Sequence, residues 1–197
     1  MHRLMDTVLV RKTLAGDKNA FALLYRRHGP RVFRLLRRLT GGNNAESEDL
    51  VQETFLAAYQ HLADWRGEGA FPTWLCGIAY RRWCASRRDA PQNVPLDEDL
   101  PVAAPDADPF ALLSARELES ALETVLASLP EHYRVVYLLT RVEEMKYREV
   151  AELLEIPLGT VQSRLDKAIR LLYDRLSCHV SDVVTLPKGA GRVPRKL

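Results

Sequence analysis

Cysteine is scarce in this sequence: Cys76, Cys84 and Cys178 are the three present, with no CxxC pair. So few thiols exclude a disulfide framework and supply no zinc-ligand spacing, and they suit a reducing, cytoplasmic setting. Histidine is equally sparse, with five scattered residues. Neither a phosphate-cradling glycine loop nor a nucleophile motif occurs, so the chain is expected not to be an enzyme and to need no cofactor and no metal. The adjacent Cys178 and His179 do not by themselves make a metal site. Long apolar runs are also missing. The opening stretch MHRLMDTVLVRKTLAGDK is broken by Arg3, Asp6, Arg11 and Lys12, which leaves no signal-peptide core and no membrane span, so no membrane insertion is expected.

One further absence divides the chain. From Asp89 to Ala115 there is no Lys or Arg, while six acids (Asp89, Asp97, Glu98, Asp99, Asp106, Asp108) and five of the eleven prolines fall there. The hydrophobic period stops over the same stretch, the signature of an acidic, proline-stiffened linker. On either side, a composition of 47% apolar and 27% charged residues over 197 positions is that of a chain that builds a core. The net charge of +2 hides a segregation: residues 1–88 carry 15 basic against 8 acidic residues, residues 116–176 carry 9 against 11, and residues 177–197 carry 4 against 1. A basic N-terminal block joined to an acidic strip has distinct electrostatic parts. The expected organisation is two small domains, 1–88 and 116–176, joined by a linker over 89–115 and followed by a flexible basic tail over 177–197 that adds nonspecific attraction to DNA.

Everything outside the linker reads as helix, so the fold class is all-α. Phe21, Leu24, Val32, Leu35, Leu36 and Leu39 recur at three and four over residues 20–39, with Arg26, Arg27, Arg31, Arg34, Arg37 and Arg38 on the remaining faces and Gly41-Gly42 as the stop. Asn44 is the expected N-cap of a second helix to about Ala63, with Glu46 and Glu48 early in it. Pro72 opens a third to about Arg88. Further helices are expected over 114–126, 130–142, 147–154 and 158–176. In the second helix Leu50, Val51, Thr54, Ala57 and Ala58 share one side, whereas Asp49, Gln52, Glu53 and Leu56 share the other. In the third, Trp74, Leu75, Ile78, Ala79 and Ala85 form the core side, and Tyr80, Trp83 and Arg87 project away from it. Aromatics beside arginines suit stacking on unpaired bases; for Trp83, burial against the neighbouring domain is an equal alternative. Cys76 and Cys84, eight apart on an intact helix, are too distant for a disulfide.

The most specific string is YREVAELLEIPLGTVQSRL, residues 147–165. A short helix with Val150, Ala151 and Leu154 inward, a tight turn plugged by Ile156, and a second helix with a Val161, Leu165, Ala168 and Leu172 stripe are the grammar of a helix-turn-helix. Gly159, Thr160, Ser163, Asp166, Lys167 and Arg170 lie opposite that stripe. A small-residue N-terminus allows close approach to a major groove, the hydroxyls and the Gln162 amide suit base edges, and Lys167 and Arg170 suit phosphates.

LGTVQSRLDKAIRLL resembles the recognition helix of region 4 in the sigma-70 superfamily. Asp49-Leu-Val-Gln-Glu-Thr-Phe55, with Phe71-Pro-Thr-Trp-Leu75 and Ile78-Ala79, resembles region 2 of the same family. Two domains without an intervening third resemble an extracytoplasmic-function (group IV) sigma factor. The resemblance implies a region 2 helical bundle and a region 4 helix-turn-helix in a protein that directs core RNA polymerase to promoters and helps open them. It implies that Asp49, Gln52, Glu53, Phe55 and Leu56 meet the clamp helices of the polymerase's largest subunit. Arg66, Phe71, Tyr80, Arg81, Trp83 and Arg87 are implied to handle minus-ten promoter DNA, and Thr160, Gln162, Ser163, Arg164, Asp166, Lys167 and Arg170 the minus-thirty-five element. An anti-sigma factor is the implied regulatory partner, and the acidic linker is implied to thread a basic polymerase channel. The sequence departs from the family's frequent Ile-Ala-x-Asn, with Arg81 at the amide position, and an arginine does not reproduce an amide's paired donor and acceptor. A rival reading is a stand-alone helix-turn-helix regulator binding DNA as a dimer.

Overall fold

The computed structural model describes residues 2–67, 69–88 and 115–185, and within them the chain forms eight α-helices and no strand. The expected linker lies outside the described residues except for Ala115, which opens the fifth helix, and so does the end of the tail beyond Thr185.

The N-terminal half is four helices. α1 (His2–Leu14) packs on α2 (Lys18–Leu39), and its buried Asp6 accepts a hydrogen bond from His28 Nε2 at 3.0 Å and lies 3.5 Å from Arg27 Nε. Asp17 caps α2, its carboxylate accepting from the backbone N–H of Asn19 and Ala20. Leu24, Val32, Leu35, Leu36 and Leu39 of α2 are all buried, the expected stripe. Gly41 and Gly42 take positive φ (67° and 94°), and the Gly42 N–H returns to the Arg37 carbonyl at 2.7 Å, so the helix ends where the glycines permit left-handed backbone. α3 (Asn44–Gln60) is capped by Asn43, one residue before the expected cap, because its side-chain oxygen is the one that accepts from Glu46 N–H. A single tight turn over Leu62–Asp64 follows, in place of helix continuing to Ala63. α4 spans Phe71–Arg88.

The C-terminal half has α5 (Ala115–Ser128), α6 (Glu131–Tyr137), α7 (Tyr147–Leu154) and α8 (Leu158–Thr185). The helix expected over 130–142 changes character midway: residues 138–142 widen into a π-turn in which the Glu143 N–H reaches back five residues to the Leu138 carbonyl at 2.9 Å. α8 continues nine residues past Leu176, so the expected flexible tail over 177–197 begins as helix.

The two halves share one core. Leu24, Leu35, Phe71, Leu75, Cys76 and Trp83 from the first belong to the same buried cluster as Val136, Leu138, Leu139, Val150, Val161 and Leu165 from the second. Each fully buried aliphatic side chain contributes about 1.5–3 kcal/mol, so this contact is a substantial part of the fold. A smaller cluster, Val125, Leu126, Leu129, Leu171 and Leu172, ties α5 to α8.

Candidate nucleic-acid interface

α7 and α8 build the helix-turn-helix. Glu149 accepts from the Lys146 N–H at 2.8 Å, fixing the start of α7. Glu155 then takes left-handed backbone (φ 55°) and the Ile156 N–H bonds the Ala151 carbonyl, which turns the chain tightly into α8. Val150, Val161, Leu165 and Ala168 are buried, as the period requires. The opposite face is open: Gln162, Ser163, Asp166 and Arg170 are exposed, while Thr160, Arg164 and Lys167 are half-buried beside it. The Ser163 hydroxyl donates to the Thr160 carbonyl at 3.2 Å.

On α3, the predicted outward stripe is in place, with Asp49, Gln52, Glu53 and Leu56 exposed, the apolar Leu56 at 60%. Phe55 is not part of it. Its ring is buried, edge-on to Phe21 and Tyr25, because position 55 turns toward α2. Beside the stripe lies a cleft of about 600 Å³ lined by Tyr25, Gly29, Pro30, Phe33, Val51 and Gln52 among others. Sequence patterning did not indicate this cleft. Its one local signal was Gly29-Pro30 inside a helical run, where proline removes a backbone donor and glycine removes side-chain bulk.

Around α4 the aromatics implied to handle minus-ten DNA are covered to different degrees. Phe71 is buried against His28, Trp65 and Trp74. Trp83 is 1% exposed and Tyr80 half-buried, because α4 turns this side toward the C-terminal half, so the alternative of burial against the neighbouring domain holds for Trp83. Burial raises the Tyr80 pKa, with Cys84 and Glu131 adding to the shift and Arg164 opposing it. Arg66, Arg81 and Arg87 are exposed as expected; Arg87 pairs with Glu131 at 3.2 Å and stands over the Trp83 ring at 5.4 Å. Trp74, expected in the core, is only half-buried and walls a cavity of about 510 Å³ with Ala57, His61, Asp64, Ile78, Arg81 and Arg82. Its other polar edge is the His61–Asp64 pair, with Nδ1 and Oδ2 3.1 Å apart. His61, Asp64 and Arg82 carried no signal in the sequence, since only the turn over 62–64 folds them back beside Arg81. Of the thiols, Cys76 is buried, Cys84 half-buried, and both are free. Among the described residues no helix is long and apolar enough to cross a membrane, and no cluster of potential metal ligands occurs.

The family profile described as Sigma-70 region 2 matches residues 24–91, and that described as Sigma-70, region 4 matches residues 119–172. The ECF RNA polymerase sigma-E factor of Haemophilus influenzae is 32% identical over 184 residues, covering 88% of this chain and 96% of that one. The chain belongs to the ECF sigma factors of the sigma-70 family. The sigma-E factor of Escherichia coli K12 is 31% identical over 176 residues, covering 84% of this sigma factor and 91% of the relative. Among solved structures, CnrH in complex with the cytosolic domain of CnrY is similar at 25% identity and a TM-score of 0.59, covering 90% of this chain and 98% of that one. The sigma factor RpoE in complex with the anti-sigma factor NepR from Bartonella quintana is similar at 20% identity and the same TM-score, covering 79% and 96%. A stand-alone helix-turn-helix regulator accounts for residues 119–172 and leaves the region 2 match unexplained, so the dimeric-regulator reading is set aside.

Proposed function

We propose that this sigma factor seats on core RNA polymerase through the α3 stripe of Asp49, Gln52, Glu53 and Leu56, with Phe55 as the buried support behind it. α8 reads minus-thirty-five DNA through Thr160, Gln162, Ser163 and Asp166, with Arg164, Lys167 and Arg170 on the phosphates. Arg66, Arg81 and Arg87 meet minus-ten DNA, together with Tyr80 and Trp83 once these are uncovered; Phe71 shapes the site from beneath. The observation that carries this reading is the pairing, in one chain, of an open acid-amide-leucine stripe on α3 with an open polar face on α8. An acid-rich stripe attracts a basic partner and the exposed leucine at its end gives it an apolar anchor, while small polar side chains at a helix start suit a major groove.

The organisation proposed is a polymerase-binding and minus-ten unit over 1–88, the acidic linker over 89–115 lying in a basic polymerase channel, and a minus-thirty-five unit over 116–176. The protein works in the cytoplasm, catalyses nothing itself and needs no cofactor. An anti-sigma partner restrains it, a reading supported by the similarity to CnrH and RpoE, whose structures are complexes with CnrY and NepR. Gel-shift on promoter DNA tests the central dependence: the protein with core polymerase is expected to give a specific complex that neither forms alone, and a specific complex from the protein alone would overturn the reading.

A further inference from the structure

Glu143 is the least expected residue of the shared core. It follows the π-turn of residues 138–142, its neighbour Glu144 is held at φ 54°, and its side chain is 3% exposed. That loop carries a carboxylate out of the C-terminal half and into the N-terminal half. There Oε2 accepts from Arg31 Nε at 2.5 Å and from Cys76 Sγ at 3.2 Å, and the Glu143 carbonyl accepts from Arg31 Nη2 at 2.9 Å. Two ion pairs flank it across the same boundary, Arg38–Glu123 at 2.7 Å and Arg87–Glu131 at 3.2 Å, and Arg134 reaches the Leu39 carbonyl at 3.4 Å. Strained backbone and a helical bulge at one buried charge mark a position held for more than packing.

What the contact covers is equally specific. The α4 face it closes bears Cys76, Gly77, Tyr80, Trp83 and Cys84: a Cβ at Gly77 would meet Leu153 at 3.8 Å, Tyr80 sits among Glu131 and Arg164, and Trp83 Nε1 is buried with no hydrogen-bond partner in the protein. Buried indole N–H groups ordinarily find an acceptor. Trp83 thus holds a buried donor, at its ring edge, that finds no acceptor while the halves are together, and the Tyr80 ring lies 5.8 Å from its own.

We propose that Glu143, gripped by Arg31 and Cys76, is an intramolecular latch that holds the C-terminal half over the Tyr80–Trp83 face of α4, and that its release uncovers this face for unpaired DNA bases. The second part rests on the minus-ten reading above; the latch itself does not.

Two readouts on the full chain separate them, both in a Cys84→Ser, Cys178→Ser background: the alkylation rate of Cys76, which is reached only when the halves part, and the affinity for a short mixed-sequence single-stranded DNA. Both scale with the open population, so Glu143→Gln is expected to raise both by about tenfold. Arg38→Glu, remote from Cys76 and safe if Glu143→Gln misfolds, is expected to raise both a few-fold, and adding Glu123→Arg to return both to the parent values. Faster alkylation without tighter DNA binding upholds the latch and overturns base capture by Tyr80 and Trp83. Unchanged alkylation in Arg38→Glu, whatever Glu143→Gln does, means that Cys76 is reached by local loosening and overturns the latch, as does tighter DNA binding with unchanged alkylation.

Discussion

Arg31 and Glu143, 112 positions apart in sequence, form a pair in which one carboxylate oxygen stands 2.5 Å from the guanidinium Nε and the backbone carbonyl of the same glutamate takes a second bond. Burial works to lower the Arg31 pKa, but the hydrogen bond and charge of Glu143 outweigh it, so the guanidinium ends above its ordinary value. Burial of the Cys76 thiol, reinforced by the charge and hydrogen bond of the same carboxylate, pushes its pKa well up, which keeps it protonated and a donor. The Glu143 carboxylate is buried while the Arg31 side chain is 33% exposed, so removing Arg31 is costly chiefly because it leaves a buried charge without its partner.

Lysine at both Asp49 and Glu53 reverses the sign of the α3 stripe without touching the buried side of that helix. Affinity for core polymerase is expected to fall at least about tenfold, while the weak, nonspecific, salt-sensitive attraction of the chain for DNA is unaffected. Fluorescence anisotropy with labelled core polymerase measures the first and gel-shift the second; unchanged polymerase affinity would remove α3 from the docking surface.

The α8 face makes separable predictions for amide, hydroxyl and cation. Gln162→Ala or Ser163→Ala is expected to relax base preference in the minus-thirty-five element, at about 1–3 kcal/mol where a bidentate contact is lost. Lys167→Ala is expected to weaken binding across all sequences and to reduce the slope of log affinity against log salt by about one. Selection from a library randomised upstream and a salt titration measure the two effects. Changes confined to the minus-ten element would misplace the helix.

Arg81 borders the cavity beside Trp74, Ile78 and the His61–Asp64 pair. Its guanidinium offers only donors, whereas an amide offers a donor and an acceptor. Arg81→Asn is therefore expected to change which base is enriched at one minus-ten position and to leave the minus-thirty-five preference intact, as read by sequencing transcripts from a library randomised in both elements. An unchanged minus-ten preference would exclude Arg81 from base reading.

His28 gives a pH dependence with a defined sign. Burial lowers its pKa below the ordinary 6.5, the Asp6 hydrogen bond and charge opposing and Arg27 and Arg31 reinforcing. The unfolded chain therefore takes up this proton at a higher pH than the folded chain. The stabilising contribution is complete above the ordinary value and is lost as pH falls through the lower folded value. Urea midpoints taken downward from about pH 7.5 are expected to fall more steeply for the parent than for His28→Asn; equal slopes would show that His28 does not titrate in this window.

The sequence disclosed helices where their periodicity is local. The α2 stripe, the outward residues of α3 and the turn at Glu155-Ile156-Pro157 all follow from spacing within one or two turns, and they lie where that spacing puts them. The aromatics did not follow, because both faces of α4 are apolar or aromatic. Which of them Trp83 joins depends on how the two halves meet, and Phe71 is taken up by His28 and Trp65 from elsewhere in the N-terminal half; no short window of sequence holds either fact. Glu143 is the limiting case: in the string Arg-Val-Glu-Glu-Met it reads as one acid of a solvated pair, and only the π-turn and the left-handed Glu144 that follows reveal it as a buried contact to Arg31. The expected disposition of the linker falls on residues outside those the structure describes.

Run-off transcription with core polymerase on a promoter library randomised at both elements tests the central claim most directly. The account predicts transcripts only when protein and core polymerase are combined, with two enriched elements: a downstream one shifted by Arg81→Asn and an upstream one relaxed by Gln162→Ala. Transcription that does not depend on the added protein, or enrichment of a single palindromic site bound without polymerase, would contradict it.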